Sequence, residues 1–396
     1  MKDLKIILYT PSPQGGFATY SLSLIKGLNN YVSDVVLLTS TNFDTLNCVS
    51  NSKSIIPILK PIHPLLGWKR CYWLFNRPFI HLSRYVTLTR YIIRCKTKNK
   101  VVHMQENFAL LSIVFVPFLK KLCPFVLTVH DVEPHGYRFS SLKLVEQAFL
   151  GQSFKVFNRL IVHTESNKKR LCSLYSIEPQ KVMVIQHGIP YMPEKGLTTT
   201  EEGKVVETLF LFFGTIRANK GLLELIEAVS ILKVNCKTFK VVVLGSVVDQ
   251  GYINECKELV SDLLVQEYVE FNLGFIEEEM VQYYFRRADV IILPYKNFEA
   301  QSGVLFQAYF AKKPVIVTNC GSLEETVRQD NTGLVAEAGN VKDLASKMYE
   351  FIMNQEIICS NCQEAYRRLN ESKKYSWSTI GQITLNLYLS MINGEV

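Results

Sequence analysis

The chain has 396 residues, 48% of them apolar and 20% charged, a globular composition without a disordered bias and a length suited to two domains of roughly 200 residues. Ten scattered cysteines read as reduced thiols: only Cys359 and Cys362 have metal-like spacing, and no second pair or nearby histidine completes a metal site. The net charge of +8 is divided, with 25 Lys and Arg against 10 Asp and Glu in residues 1–195 and 19 against 26 in the remainder.

The first predicted element is a buried strand, Leu4–Tyr9; Asp3 and the immediate turn after the apolar run do not fit a secretory leader. Gly15-Gly16 follows, ahead of a helix from about Ala18 to Leu28. Glycine at such a turn lets a bound group approach the backbone, and a helix N-terminus favours an anion, although a plain turn reads equally well. A strand at Val35–Thr39 comes next. Residues 60–121 then carry twelve basic residues against one acid, Glu106, interleaved with Trp68, Tyr72, Trp73, Phe75, Phe79, Tyr85 and Tyr91. That mixture suits an anionic membrane surface, the plainer reading being a solvated face above core aromatics. No nucleic-acid recognition motif accompanies the charge, so no nucleic-acid partner is expected. The apolar run Phe108–Leu119 is shorter than the ~18 residues that span a bilayer, and Pro117 interrupts it, so no transmembrane helix is expected.

Further strands are predicted at Val101–His103, Phe125–Val129, Leu160–His163 and Val182–Ile185. His130-Asp131 closes the second of these, at a strand's carboxyl end, where α/β proteins bind ligands. The text around 191–207, rich in Gly, Pro, Thr and charge, reads as a linker. Beyond it the strands recur: Leu209–Phe213, Lys240–Leu244, Tyr268–Phe271, Val290–Leu293, Val315–Thr318 and Gly333–Val335. Apolar strands alternating with helices in both halves predict two Rossmann-like domains with parallel sheets.

The strand-to-helix turn of the second half reads FFGTIRANKG. Gly214 permits the turn, and Arg217 and Lys220 set two cations at a helix start, a diphosphate site that needs no metal ion. The segment from Ala288 to Val327 then runs strand, loop, helix, strand, turn, helix. It sets Glu299 after a strand, Ser302-Gly303 at a helix start that stops ahead of Pro314, and Ser322 and Glu325 as a capping box. A carboxylate beside free backbone N–H groups can hold sugar hydroxyls and phosphate oxygens. No Asp-x-Asp triplet occurs. The terminal stretch from Tyr375 reads as an amphipathic helix.

Together these motifs resemble glycosyltransferase family 4, retaining enzymes of the GT-B fold, α/β with two Rossmann-like domains whose parallel sheets face a cleft. The residues carrying the likeness are Gly15-Gly16, His130-Asp131, Gly214 through Gly221, Gly274-Phe275, Ala288-Asp289, Glu299 through Ala308, Pro314-Val315-Ile316 and Ser376-Trp377. The resemblance implies an acceptor-binding domain over 1–190, a linker at 191–207, a nucleotide-sugar-binding domain over 208–375 and a helix over 376–396 that crosses back to the first domain. By the same resemblance Gly15 and Gly16 approach the donor phosphates and His130 the donor sugar, Arg217 and Lys220 neutralise the diphosphate, and the backbone at Phe275-Ile276 meets the base. Glu299 matches the first glutamate of the Glu-x₇-Glu signature. Gln301, Ser302, Gly303 and Val304 belong to the same donor site, and the second glutamate is replaced by Gln307.

The activity so implied is transfer of a sugar from a nucleotide-sugar donor to a glycan or lipid-linked acceptor, an envelope glycan precursor, with retention of configuration. His130 and Glu299 are the catalytic candidates, the nucleotide-sugar is a co-substrate, and no cofactor or metal is called for. The expected location is cytoplasmic, at the inner membrane face through residues 60–121. Two rivals stay open: a noncatalytic nucleotide-sugar-binding or scaffold protein, favoured by Gln307, and a nucleotide-sugar epimerase.

Overall fold

The computed structural model describes residues 4–13, 15–42, 54–61, 69–133, 143–189, 207–296, 298 and 301–394, with residues 69–75 and 143 described by their backbone. Glu299, Trp68 and the predicted linker up to residue 206 lie outside the described residues. The chain divides into two units, residues 1–188 with 374–396 and residues 189–373.

The first unit runs β1 (Leu4–Thr10), α1 (Gly16–Asn29), β2 (Val35–Ser40), β3 (Ile55–Leu59), α2 (Lys69–Arg94), β4 (Asn99–Met104), α3 (Ala109–Leu119), β5 (Phe125–Thr128), α4 (Lys143–Val156), β6 (Arg159–Val162), α5 (Glu165–Tyr175) and β7 (Val182–Val184). Its sheet has the order β3-β2-β1-β4-β5-β6-β7, and every pairing is parallel. Alternate residues of β1 enter different cores, as the two-residue strand period requires: Leu4, Ile6 and Leu8 pack on the α1 side, Ile7 and Tyr9 with residues of α2 to α5. Both faces are covered, which is why the strands read as unbroken apolar runs.

β3 departs from the strands predicted above, which have none between Val35–Thr39 and Val101–His103. Its sequence, IIPIL, contains Pro57, which removes a ladder donor and weakens the signal; it sits on the sheet edge, where that loss is tolerated. The register also shifts at Thr39/Ser40 against it.

After residue 373 the chain returns to the first unit with α13 (Trp377–Asn393), capped by Ser376, whose side chain accepts from the Thr379 N–H. Ile380, Leu385, Leu387 and Tyr388 are buried in the α1-side core, each contributing about 1.5–3 kcal/mol as a buried apolar side chain. Glycines set the closeness of the α1–α13 crossing. A Cβ on Gly381 would lie 2.5 Å from the Gly27 carbonyl carbon, and one on Gly27 would lie 2.0 Å from the Trp377 oxygen.

The second unit runs β8 (Thr208–Phe213), α6 (Leu222–Asn235), β9 (Phe239–Gly245), α7 (Gln250–Asp262), β10 (Val269–Leu273), α8 (Glu278–Arg287), β11 (Val290–Leu293), α9 (Gly303–Phe310), β12 (Val315–Thr318), α10 (Ser322–Asp330), β13 (Gly333–Ala336), α11 (Val341–Met353) and α12 (Gln355–Ser372). Its parallel sheet has the order β10-β9-β8-β11-β12-β13. In both sheets the order reverses beside the first strand, and ligands of open α/β sheets bind at that switch point, outside the strands' carboxyl ends. The predicted capping box is corrected here. α10 starts at Ser322 itself, with Gly321 (φ 54°) as N-cap and no side-chain cap bond, because only glycine readily takes that backbone angle.

Candidate active site

At the carboxyl edge of the first sheet, four histidines stand at the ends of successive strands: His103 in β4, His130 after β5, His163 after β6 and His187 after β7. Tyr20 of α1 packs against His130, His163, His187 and Trp377, with ring centroids 4.9–5.5 Å apart. Phe17 meets His130 at 5.0 Å, so the helix start after Gly15-Gly16 and His130 are brought together. A Cβ built on either glycine meets nothing within 4 Å, which leaves the loop backbone open to a bound group.

Hydrogen bonds fix the tautomers. His163 Nδ1 lies 2.9 Å from the Ile185 carbonyl, which only accepts, so Nδ1 carries the proton and Nε2 of the neutral ring accepts. His130 Nδ1, at 3.2 Å, donates to that nitrogen and leaves its own Nε2 as an acceptor. The terminal amide of Gln105 lies 3.0 Å from His130 Nε2 and 3.2 Å from His103 Nε2. With its two end atoms exchanged, so that nitrogen faces His130, every bond has one donor and one acceptor. The His103 Nε2–H then donates to the Gln105 oxygen and to Thr128 Oγ1 at 2.7 Å, and the Tyr388 hydroxyl donates to His103 Nδ1 at 2.5 Å. Burial keeps the rings neutral: it drives His103 and His187 down to about 3, His163 to about 4 and His130 well below the ordinary imidazole value. His130 is therefore an uncharged ring of fixed orientation at neutral pH.

A second cluster at this edge was not singled out in the sequence. The Ser12 N–H and hydroxyl donate to the two carboxylate oxygens of Glu106 at 2.7 and 2.8 Å, and Arg84, from α2, donates to the carbonyls of Lys60 and Pro11. Burial raises the Glu106 carboxyl, while the Ser12 bonds and Arg84 oppose the shift. Glu106 stood out only as the lone acid of a basic stretch, and its partners Ser12, after β1, and Arg84, in α2, lie far from it in the chain.

In the second unit, Gly214, Gly245 and Gly274 close β8, β9 and β10. The Gly214 N–H donates to the Leu244 carbonyl and the Gly274 N–H to the Gly245 carbonyl. Arg217 is exposed and precedes a single 3-10 turn, Ala218–Lys220. Gly221 follows with φ 73°, and a Cβ there would fall 1.8 Å from the Pro294 oxygen; glycine alone lets this turn lie against the end of β11. The Lys220 ammonium sits 3.6 Å from the Tyr295 ring centroid and 4.1 Å from that of Phe298, a cation–π seat that holds the charge at this edge.

Ser302 caps α9 by position but makes no side-chain cap bond. Gly303 is exposed, and Val304 lies beside Gly214. Gln301 donates to Thr326 Oγ1 at 3.5 Å, while the side-chain oxygens of Gln301 and Gln307 are buried without a hydrogen-bond partner. Phe275 is 93% exposed after β10, with Ile276 half-buried beside it. Thus Gly214, Arg217, Lys220, Ser302, Gly303 and Val304 gather around the ends of β8 and β11, and Phe275-Ile276 stand two strands away. Among the described residues no group of three His, Cys, Asp or Glu is arranged to hold a metal ion.

Sequence comparison divides the chain in the same way as its two sheets. The model for Glycosyltransferase Family 4 matches residues 14–191, and that for Glycosyl transferases group 1 matches residues 201–373. The chain belongs to glycosyltransferase family 4. An uncharacterized glycosyltransferase of Methanocaldococcus jannaschii is 26% identical over 68% of this chain and 70% of its own length. A glycogen synthase of Mycobacterium tuberculosis is 22% identical over 69% and 64%, and a D-inositol 3-phosphate glycosyltransferase of Kineococcus radiotolerans 24% over 65% and 60%. The chain thus spans about three fifths to seven tenths of these relatives. In fold it is similar to a glycosyltransferase of Rickettsia africae (TM-score 0.67, 19% identity, 99% of each chain covered). It is also similar to Anabaena HepE in complex with UDP (TM-score 0.71, 15% identity, 98% of this chain and 100% of that one). Family membership and these structural likenesses make the architecture GT-B, two parallel-sheet Rossmann-like domains.

Proposed function

We propose that this glycosyltransferase transfers a sugar, with retention of configuration, from a nucleoside-diphosphate sugar to a lipid-linked or envelope-glycan acceptor at the inner face of the cell membrane. The observation that carries the donor assignment is the seating of Lys220 over Tyr295 and Phe298, beside exposed Arg217 and the side-chain-uncapped start of α9, at the switch point of the second sheet. Cleaving a glycosyl diphosphate builds negative charge on the leaving group as the sugar becomes oxocarbenium-like. Two cations and the N–H groups of Gly303 and Val304 stabilise that charge where it develops, without a divalent ion. The open edge at Phe275-Ile276 receives the base, and Gln301 and Gln307 supply uncharged acceptors for hydroxyl groups.

On the first unit, His130 serves the transferred sugar as a neutral, oriented ring, and Gly15-Gly16 let phosphate oxygens approach the backbone. Glu299 takes sugar hydroxyls as the first glutamate of the signature. Support for a nucleotide-sugar donor comes from HepE, which was crystallised with UDP and with UDP-glucose. The basic stretch of residues 60–121 supports a negatively charged partner, a membrane or an anionic acceptor.

The test is a screen of UDP-, GDP- and ADP-sugars for thermal stabilisation, followed by transfer assays with the stabilising donor. A ligand at 100 times its dissociation constant adds about 2.7 kcal/mol, which is readily measured. Stabilisation that Arg217→Ala and Lys220→Ala both abolish is the expected result; absence of any response to all three classes refutes the donor assignment. A noncatalytic sugar-nucleotide binder is the second reading, favoured by the uncharged Gln307. It predicts stabilisation with neither transfer nor hydrolysis.

A further inference from the structure

The helical layer of the first unit leaves a continuous apolar face in water. On α3, Leu110, Val114 and Phe118 recur every four residues along about 12 Å of helix and are all exposed, Phe118 at 69%. Leu122 continues the line, exposed, just beyond the helix. The neighbouring α4, which packs directly on α3, exposes Leu144 (78%), Val145 and Phe149. The opposite sides of the two helices are spent on the core, through Val116 and Leu119 on α3 and Phe154 on α4. Soluble proteins rarely leave such a contiguous apolar surface without a use for it.

Charge adjoins it at one end. Helices that follow parallel strands run back along the sheet, so α3 and α4 start at the carboxyl edge and finish at the amino edge. There Lys120, Lys121 and Lys155 are exposed, and Arg159 and Lys181 lie alongside. Lys181 is drawn down to about 8, first by burial and then by the crowding of Lys120, Arg159 and Lys155, with Glu178 opposing. A helix C-terminus accommodates one cation well. It does not explain a group of cations that repel one another beside an apolar stripe.

This face differs from the surface expected from the sequence. Tyr85 is 1% exposed and hydrogen-bonded to Ser112, and Arg84 is 3% exposed, so both belong to the interior rather than to a docking surface. Trp68 lies outside the described residues, as do the side chains of Tyr72, Trp73 and Phe75.

We infer that the α3–α4 face docks on an anionic lipid bilayer, its apolar residues entering the headgroup boundary and the Lys120–Lys155–Arg159–Lys181 group pairing with lipid phosphates. Seven exposed apolar side chains flanked by cations have the chemistry of interfacial helices lying in the membrane plane. A second copy of the chain fits less well, because it brings the same excess of cations, and among the described residues of α3, α4 and the turn before Lys181 the acids to meet them are Glu146 and Glu178. The docking specifies how the protein reaches a lipid-linked acceptor and rests on that reading for its biological meaning, but its test uses no substrate, so the two can fail separately.

The experiment is sedimentation of the full chain with vesicles of phosphatidylcholine containing 30% phosphatidylglycerol, against phosphatidylcholine alone. Wild type should bind the mixed vesicles and lose binding as salt is raised. The double variant Phe118→Glu/Phe149→Glu should bind at least tenfold more weakly, and Lys120→Glu/Lys155→Glu should do the same, since each cation near an anionic surface is worth about a factor of five. Both pairs are exposed, and unchanged circular dichroism and melting identify variants that remain folded. Val234→Glu/Leu264→Glu, on exposed positions of the second unit, should bind as wild type does. Three results overturn the inference: no binding by wild type, full binding by the Phe118/Phe149 variant, or a concentration-dependent dimer that this variant abolishes.

Discussion

The buried histidines of the first unit make its stability depend on pH in a way that can be calculated. His103 and His163 are 0% and 1% exposed, and burial holds them at about 3 and about 4 against an ordinary value near 6.5. Their pKa values are lower folded than unfolded, so below about 6.5 the unfolded chain binds protons that the folded chain refuses. Stability is complete above that pH and falls as pH drops toward 4. Between pH 7.0 and 5.5 each histidine forfeits about 1.2 kcal/mol, or ~2.5 kcal/mol for the pair. In a unit of this size that lowers the melting temperature by roughly 5–10 °C. Glu106 acts in the opposite sense, because burial raises its carboxyl, so the histidines have to be isolated by difference. Melting curves of wild type and His103→Gln/His163→Gln, followed by circular dichroism at half-unit steps from pH 7.5 to 5.0, supply that difference. The double variant starts less stable but should show a shallower slope by about 2.5 kcal/mol over the interval. Equal slopes in the two proteins would refute the neutral network built around His130.

Other expectations concern the second unit and the α1–α13 crossing. Arg217→Ala and Lys220→Ala should each lower turnover about 100-fold or more while leaving the melting temperature unchanged for the exposed arginine; near-normal rates in both would remove the diphosphate assignment. Transfer should persist in excess EDTA, and a reversible requirement for a divalent cation would count against two side chains acting in its place. Glu299→Gln should impair transfer more than Gln307→Glu, read as kcat with the preferred donor; a silent Glu299→Gln would undo the alignment of the signature. Gly381→Val should cost several kcal/mol, since its Cβ would meet the Gly27 backbone at 2.5 Å, and a variant melting within 2 °C of wild type would contradict that packing.

Twelve strands of this protein are readable in its sequence: the central ones are apolar runs buried on both faces of a parallel sheet, and the edge strands β7, β10 and β13, though only half-buried, keep enough apolar residues between turn signals to be seen. The one missed, β3, shares its edge position with strands that were read; what sets it apart is Pro57, a residue that argues against a strand and is tolerated only on an edge. Glycine-bearing turns were legible for a related reason: Gly221 occupies a left-handed angle pressed on the Pro294 oxygen, a backbone demand that restricts the residue type. What the tertiary structure alone decided is which side chains meet. Gln105 joining His103 to His130, and Ser12 with Arg84 around Glu106, assemble from strands and helices far apart in the chain, and no local pattern encodes such contacts. Exposure is decided in the same way. Leu110, Val114 and Phe118 look like core residues in the sequence and stand in water, whereas Tyr85 and Arg84, in a stretch that reads as surface, are buried. Composition counts apolar and charged groups, but only the packing of α2, α3 and α4 on one sheet determines which of them face water.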